Sequence, residues 1–461
     1  MIIVVVPMAV LLTIILVKKI PKIGGNIYAA LLAAGLLSLL MGGVYNPVDW
    51  LKALIDGVDR IAWVMMLSFF GSLYSETQVE LGTVDTIMSS LKARFKNSPR
   101  LLVVCVIMVL VLAGSLLGDA IAAATVVGVL TISTLAALGL TGEAICAIIV
   151  MGAAMGSIMP PMSQALALAS ALVGTDPDPV FRMGYLTVSI VVVLVCIYVV
   201  TFLLRNVKKV EFESEETAMQ ILRRNWTTMI PLCALILVVF FRTIQGPLKF
   251  DLMTSLLTAI PLGQSSLLEA LKGIPIIKGL TNGIVLCIIF ALIVSFFFPK
   301  VHRNTGRVIT VGIKNVRLTL MIQFCAGFML GSFYAAGQIE TVKEFAMNLD
   351  SNVIILGGAG AMALIGMLTG SQTTTQNVVF SFFGPALVSL GIAPTIVAVA
   401  GASLAMSGQG LPPADLTTFV VAGIVGGALG VKVDPVKAMI IAMPMCIFFL
   451  AEALILLYMF G

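Results

Sequence analysis

The chain has 461 residues, 60% of them hydrophobic and only 11% charged, with a mean hydropathy of +1.12 and a formal net charge of +5. Soluble domains carry roughly 25% charged residues, so the composition excludes a soluble protein and defines an integral membrane one. Long apolar runs, rather than short alternating segments, make the spans helices and not barrel strands, and the modest positive charge suits basic cytoplasmic loops rather than nucleic acid.

The first apolar run, at about 2–17, lacks a basic start and a small-residue cleavage site, and reads as a membrane helix rather than a removed signal. A second span is expected at about 24–44 and a third from Ile61 to Tyr74. The stretch VDTIMSSLKARFKNSPR that follows is amphipathic and basic, as for a helix lying at the interface. Leu101–Ala113 then leads into Gly114–Pro161, the stretch around which the chain is organised. It is apolar enough for a bilayer, yet it carries Asp119 and is interrupted by Gly114, Gly118, Gly156 and Pro160-Pro161. Irregular backbone at membrane depth is tolerated only inside protein or beside a wet cavity, and a carboxylate there is a functional-site candidate.

Apolar sequence resumes to about Leu172, and again at about 184–204. The polar segment 205–226, with Arg205, Lys208, Lys209, Arg223 and Arg224, divides a first membrane half (1–204) from a second (227–461). Together with the basic clusters Lys92–Arg100 and Lys300–Arg317, it is expected on the cytoplasmic side. Further spans are expected at about 228–242, 251–262, 273–298, 318–336 and 353–369, before a second broken stretch at 370–413 and apolar sequence from 414 to 460.

The halves repeat one another. Gly71-Ser72-Leu73-Tyr74 with Gln78 and Glu80 matches Gly331-Ser332-Phe333-Tyr334 with Gln338 and Glu340. Gly114-Ser115 is aligned with Gly370-Ser371, Pro160-Pro161 with Pro412-Pro413, and Asp178-Pro179-Val180 with Asp434-Pro435-Val436. Paired interruptions in two halves are the sequence pointer to a secondary transporter's binding site. The hairpin and broken helix would occupy 114–172 in the first half and 370–430 in the second.

The polar island SQTTTQN, from Ser371 to Asn377, is the densest candidate. Hydroxyls, amides and unwound carbonyls there suit a bare cation, and helix N-termini suit an anion. Plainer readings stand beside these. Single Ser and Thr residues in membrane helices often bond back to the preceding turn, and Gly-Ser and Pro-Pro pairs also serve close packing. Asp119 is either a coupling group or a structural carboxylate bonded to a neighbouring break. Asp415 reads as an N-cap, Glu143 as a first-turn acid, and Tyr74 and Tyr334 as interfacial anchors. Seven isolated cysteines and one histidine, His302, give no transition-metal site and no histidine-based acid–base pair. No cofactor is expected beyond a coupling ion, and no enzyme activity. A channel and a membrane enzyme are the weaker alternatives, and no G-x-x-x-x-G-K-[ST] run suggests ATP binding.

At these residues the chain resembles the ion-transporter superfamily. It is most similar to the large membrane subunit of tripartite ATP-independent periplasmic (TRAP) transporters. The resemblance rests on Gly114-Ser115-Leu116-Leu117-Gly118-Asp119-Ala120, on Gly156-Ser157-Ile158-Met159-Pro160-Pro161-Met162-Ser163, and on Gly370 with Gly410-Leu411-Pro412-Pro413. Thr374 departs from the family's second-hairpin aspartate, and SQTTTQN is similar to the hydroxyl-rich tips of sodium–dicarboxylate symporters. The resemblance implies an all-α polytopic protein with two inverted repeats working as an elevator-type carrier in a bacterial inner membrane. It implies small organic carboxylates such as C4-dicarboxylates as substrates, sodium as the coupling ion, and partnership with a small membrane subunit and an extracytoplasmic binding protein. On this reading sodium sits near Ser115, Asp119, Gly156, Ser157, Gly370, Ser371 and Gly408, and substrate near Ser163, Gln164, Thr373, Thr374, Asn377 and Gln409. The alternative is a single-chain proton- or sodium-coupled permease of the gluconate or C4-dicarboxylate type, with Asp119 as the protonated group in the proton-coupled case.

Overall fold

A computed structural model describes residues 2–17, 19–95, 98–205, 216–243, 250–262 and 265–460. Residues 206–215 of the expected polar linker, including Lys208 and Lys209, lie outside the described residues. Helices α1 (Ile2–Leu16) and α2 (Ile27–Met41) pack on one another. Asn26 starts α2 by accepting from Ala29 N–H at 3.2 Å. Helix α3 (Pro47–Arg60) carries polar and apolar residues on different faces and was not expected, because its apolar positions are interleaved with Asp49, Lys52, Asp56 and Asp59. Helix α4 (Ala62–Leu81) runs past Tyr74 because Ser75–Glu80 are good enough helix formers to continue it until Gly82 turns left-handed. The basic amphipathic segment is α5 (Thr83–Phe95).

Next come α6 (Pro99–Leu117) and α7 (Ala120–Ala123), which continues through a π-helical turn at Ala124–Gly128 into α8 (Val129–Ala137). Helices α9 (Gly142–Ile158), α10 (Gln164–Val173) and α11 (Pro177–Tyr198) complete the first half. Helix α12 (Ala218–Asn225) lies within the expected linker, and α13 (Ile230–Thr243) and α14 (Leu252–Ala259) follow it. A minimal antiparallel pair, β1 (Pro261–Leu262) with β2 (Ser265–Ser266), follows within the otherwise helical chain. After α15 (Leu267–Lys272), the expected span at 273–298 is two elements, a 3-10 helix at Ile277–Thr281 and α16 (Gly283–Phe296). Helix α17 (Pro299–Arg303) leads into α18 (Thr305–Ala335), α19 (Gln338–Met347) and α20 (Ser351–Thr369). Helix α21 (Gln372–Thr375) continues through a π-helical turn at Gln376–Phe380 into α22 (Ser381–Ser389), followed by α23 (Pro394–Gly410), α24 (Leu416–Leu429) and α25 (Pro435–Met459).

Seven helices among the described residues are long and apolar enough to cross a membrane. Helix α18 packs on α2, α3 and α4, while α9 and α23 sit at the centre of the remainder. Every residue from Ile145 to Ile158 of α9 and from Val397 to Gly410 of α23 is buried, as a helix apolar on all sides must be. Small residues permit this. A Cβ at Gly156 would lie 2.6 Å from the Val111 carbonyl oxygen and 2.7 Å from Gly114 Cα, and one at Gly408 would lie 2.7 Å from the Met362 carbonyl oxygen. Backbone approaches this close are the usual way membrane helices associate without a hydrophobic driving force.

The repeat is visible in local geometry, with its register shifted from the expected one. Helix α6 ends at Gly118 (φ +65°) and α20 at Gly370 (φ +60°), each N–H closing onto a carbonyl four residues back. Asp119 and Ser371 then cap the restarting helices in the same extended conformation. Gly118 therefore pairs with Gly370, and Gly114 with Gly366; the expected match of Gly114-Ser115 with Gly370-Ser371 is off by one helical turn. The new register also gives both halves the same spacing from break to Pro-Pro pair, and both pairs carry a cis peptide. At the far end Asp176, not Asp178, caps α11 as Asp434 caps α25.

Candidate functional site

The two restarts face each other across a cavity of about 110 Å³. A water needs about 10–15 Å³ by this measure, so several water-sized groups fit. Gly118–Ile121 line it from the first half and Gly370–Thr373 from the second, with Ser157, Gln164, Gln409 and Thr417 around them. Asp119 is the one charged side chain among these lining residues. Its Oδ1 accepts from Ala122 N–H at 2.7 Å, so the carboxylate caps a helix and faces the cavity at the same time. Asp119 thus has the structural bond expected of it, and it also stands at the cavity, where a coupling group would have to be.

The second half supplies amides and hydroxyls. Ser371 Oγ accepts from Thr374 N–H at 3.2 Å and from the Thr374 hydroxyl at 2.9 Å. Gln409 bridges hairpin and broken helix: its Oε1 accepts from Gln372 N–H at 3.2 Å, and its Nε2 donates to Thr417 Oγ1 at 3.4 Å. Gln372 Nε2 is buried and has no partner. Gln372 lines the cavity and is not among the expected site residues.

Of the expected site residues, the structure brings Asp119, Ser157, Gln164, Gly370, Ser371, Thr373 and Gln409 to the cavity. The others serve around it. Ser115 donates to the Pro160 carbonyl at 2.7 Å, tying α6 to the first break. Gly156 and Gly408 are packing contacts between helices. Ser163 caps α10 by accepting from Leu166 N–H at 3.2 Å and is fully buried. Thr374 is buried against Ser371, and Asn377 donates to the Thr373 carbonyl at 2.9 Å. Asp415 is the N-cap expected, accepting from Thr417 and Thr418 N–H at 3.1 Å each. The caps exchange places between the halves: acid at the first hairpin and serine at the first break, serine at the second hairpin and acid at the second break.

Two other expectations, for Tyr74 and Asp178, change. Tyr74 is not an interfacial anchor; it is wholly buried and its O–H donates to the Pro231 carbonyl at 3.3 Å. Tyr334 lies under the Arg60 guanidinium, 3.8 Å from the ring centroid. Asp178 leaves its landmark role to join an ion cluster, with Arg242 bonded to it at 2.6 Å and to Asp251 at 3.1 Å.

Two helix–break–helix units meeting tip to tip over a polar cavity, inside a bundle of membrane-crossing helices, define an α-helical multi-pass transporter. The family is equally plain in the sequence. Over residues 4–461 it matches the tripartite ATP-independent periplasmic transporter, DctM component, and the chain belongs to that family. A search of curated proteins gives no match. The fold is similar to that of the Alcanivorax borkumensis YdaH transporter, whose crystal structure is described as having an unusual topology, with a TM-score of 0.57 at 16% identity over 86% of this chain and 84% of that one. It is also similar to Neisseria gonorrhoeae MtrF, described within a class of antimetabolite efflux pumps, with a TM-score of 0.58 at 15% identity over 91% and 85% of the two chains. Both likenesses are of fold.

Proposed function

We propose that this chain is the large permease subunit of a TRAP transporter that moves small organic carboxylates, such as C4-dicarboxylates, across a bacterial inner membrane with sodium as coupling ion. The observation that carries the reading is the make-up of the cavity, which pairs one carboxylate, Asp119, with the unpartnered amide donor of Gln372. Gln372 Nε2, the Gln164 amide and the helix starts at Ala120 and Gln372 suit a carboxylate ligand. Asp119 alone would repel one. Two unit charges about 4 Å apart interact by about 4 kcal/mol at an effective dielectric of about 20. That is close to a thousandfold in affinity, so a cation beside Asp119 turns an obstacle into a coupling device. Sodium would use Asp119, Ser371 and nearby hydroxyls and carbonyls.

In this reading the halves 1–204 and 227–461 are inverted repeats. The two hairpins and broken helices move together, elevator-fashion, against the α1–α4 and α18 group. A small membrane subunit and an extracytoplasmic binding protein deliver substrate. Uptake of labelled C4-dicarboxylates by proteoliposomes tests this, with sodium and proton gradients imposed separately and with the partner subunits added or omitted. Sodium-driven uptake that requires the partners supports the reading. Sodium-driven uptake by the chain alone would make it a single-chain permease, and uptake driven only by protons would remove sodium.

A further inference from the structure

One buried carboxylate takes no part in the cavity. Glu452 lies on α25, and neither of its carboxylate oxygens is exposed or reached by a hydrogen bond of good geometry. The hydroxyls of Thr187 on α11 and Ser403 on α23 flank it. These residues are 6% and 0% exposed, and both hydroxyls lack partners as well. Three helices therefore bring four unsatisfied oxygens to one place. An ionised carboxylate without a counter-charge inside a membrane protein costs several kcal/mol, and no such counter-charge is present among the described residues.

Helix α25 packs on α9, α11, α20, α23 and α24. Helices α20 and α23 carry no ionisable side chain. Glu143 and Cys146 of α9, Asp178 and Arg182 of α11, and Asp415 before α24 lie at helix ends, and Tyr185 of α11 lines a separate apolar crevice with Ile236 and Phe240. Cys196 and Tyr198 close the far end of α11, and α25 itself adds Lys437, Cys446 and Tyr458. The polar groups beside the Glu452 carboxylate are the Thr187 and Ser403 hydroxyls.

We propose that Glu452, Thr187 and Ser403 form a proton-binding site separate from the hairpin cavity. The carboxylate takes up one proton, the new O–H donates to one hydroxyl oxygen, and the other hydroxyl donates to the remaining carboxyl oxygen. All four oxygens are then satisfied. A bare metal cation fits poorly, because it gathers roughly six oxygens and the carbonyls inside these helices are taken up by their own hydrogen bonds. A part for this proton in transport rests on the carrier reading above; its binding does not.

Infrared difference spectroscopy on the full chain in lipid bilayers, stepped between about pH 5 and pH 9, reads the site directly. Wild type is expected to show a carboxyl-to-carboxylate conversion that is lost in Glu452→Gln, and Ser403→Ala and Thr187→Val are expected to shift its midpoint. Should Glu452→Gln fail to fold, the milder Ser403→Ala shift decides. A pH response identical in wild type and the variants would overturn the assignment, as would a midpoint that follows sodium concentration at fixed pH. The readout involves no uptake, so failure of the carboxylate reading would leave it unaffected.

Discussion

The contact between Gly118 and the first Pro-Pro break holds the hairpin start against the broken helix, and Gly118→Ala tests it. Gly118 has φ +65°, and a Cβ there would lie 2.6 Å from the Met162 carbonyl oxygen. Met162 cannot readily move aside, because its N–H is bonded to the Ser115 carbonyl at 3.3 Å. The left-handed conformation costs an alanine about 1–2 kcal/mol, and forcing a methyl into a filled contact adds about 1–3 kcal/mol. Gly174 separates the two effects, since its φ is +72° but nothing lies within 4 Å of its Cβ position. Gly174→Ala should therefore lose only the conformational part, about 1–2 kcal/mol. Thermal unfolding of the purified variants compares them, and uptake should fall at least about tenfold for Gly118→Ala while persisting for Gly174→Ala. Equal destabilisation of the two, or full activity in Gly118→Ala, would refute the reasoning.

Asp119→Asn keeps a good N-cap while removing the charge; its stability should stay within about 1 kcal/mol of wild type while sodium-dependent uptake is lost, whereas Asp119→Ala should also lose about 1 kcal/mol of stability, measured by the same unfolding assay. Gly156→Ala should destabilise by about 1–3 kcal/mol, because its Cβ would meet the backbone of α6 at 2.6–2.7 Å; an unchanged melting temperature would contradict the packing. Arg242→Met strands Asp178 and Asp251, and with Arg242 14% exposed the cost should lie between that of a surface pair and a buried one, about 1–3 kcal/mol, shrinking as salt is raised in the unfolding assay.

The apolar runs and the interruptions were legible because each has a local cause: Gly118 and Gly370 supply positive φ, and the Pro-Pro pairs end α9 and α23. The register between the halves was harder to read. Gly114-Ser115 looks like Gly370-Ser371, and only φ distinguishes the glycine that turns the chain from the one that packs against Gly156. Helix α3 escaped because its polar face masks its apolar one. Within SQTTTQN, residue type did not say which side chains face the cavity. Ser371, Gln372 and Thr373 line it, while Thr374 and Asn377 bond back to their own hairpin, as helix geometry dictates. Glu452, Thr187 and Ser403 come together only through the packing of α25, α11 and α23, and no local pattern announces that.

The central claim, that one cavity between the hairpins holds cation and carboxylate together, is met most directly by equilibrium binding of labelled sodium and labelled succinate to the purified chain. Binding free energies are linked reciprocally, so the account predicts that sodium tightens succinate binding and succinate tightens sodium binding by the same factor, with the coupling gone in Asp119→Asn. Succinate binding that ignores sodium, or coupling that survives in Asp119→Asn, would contradict it.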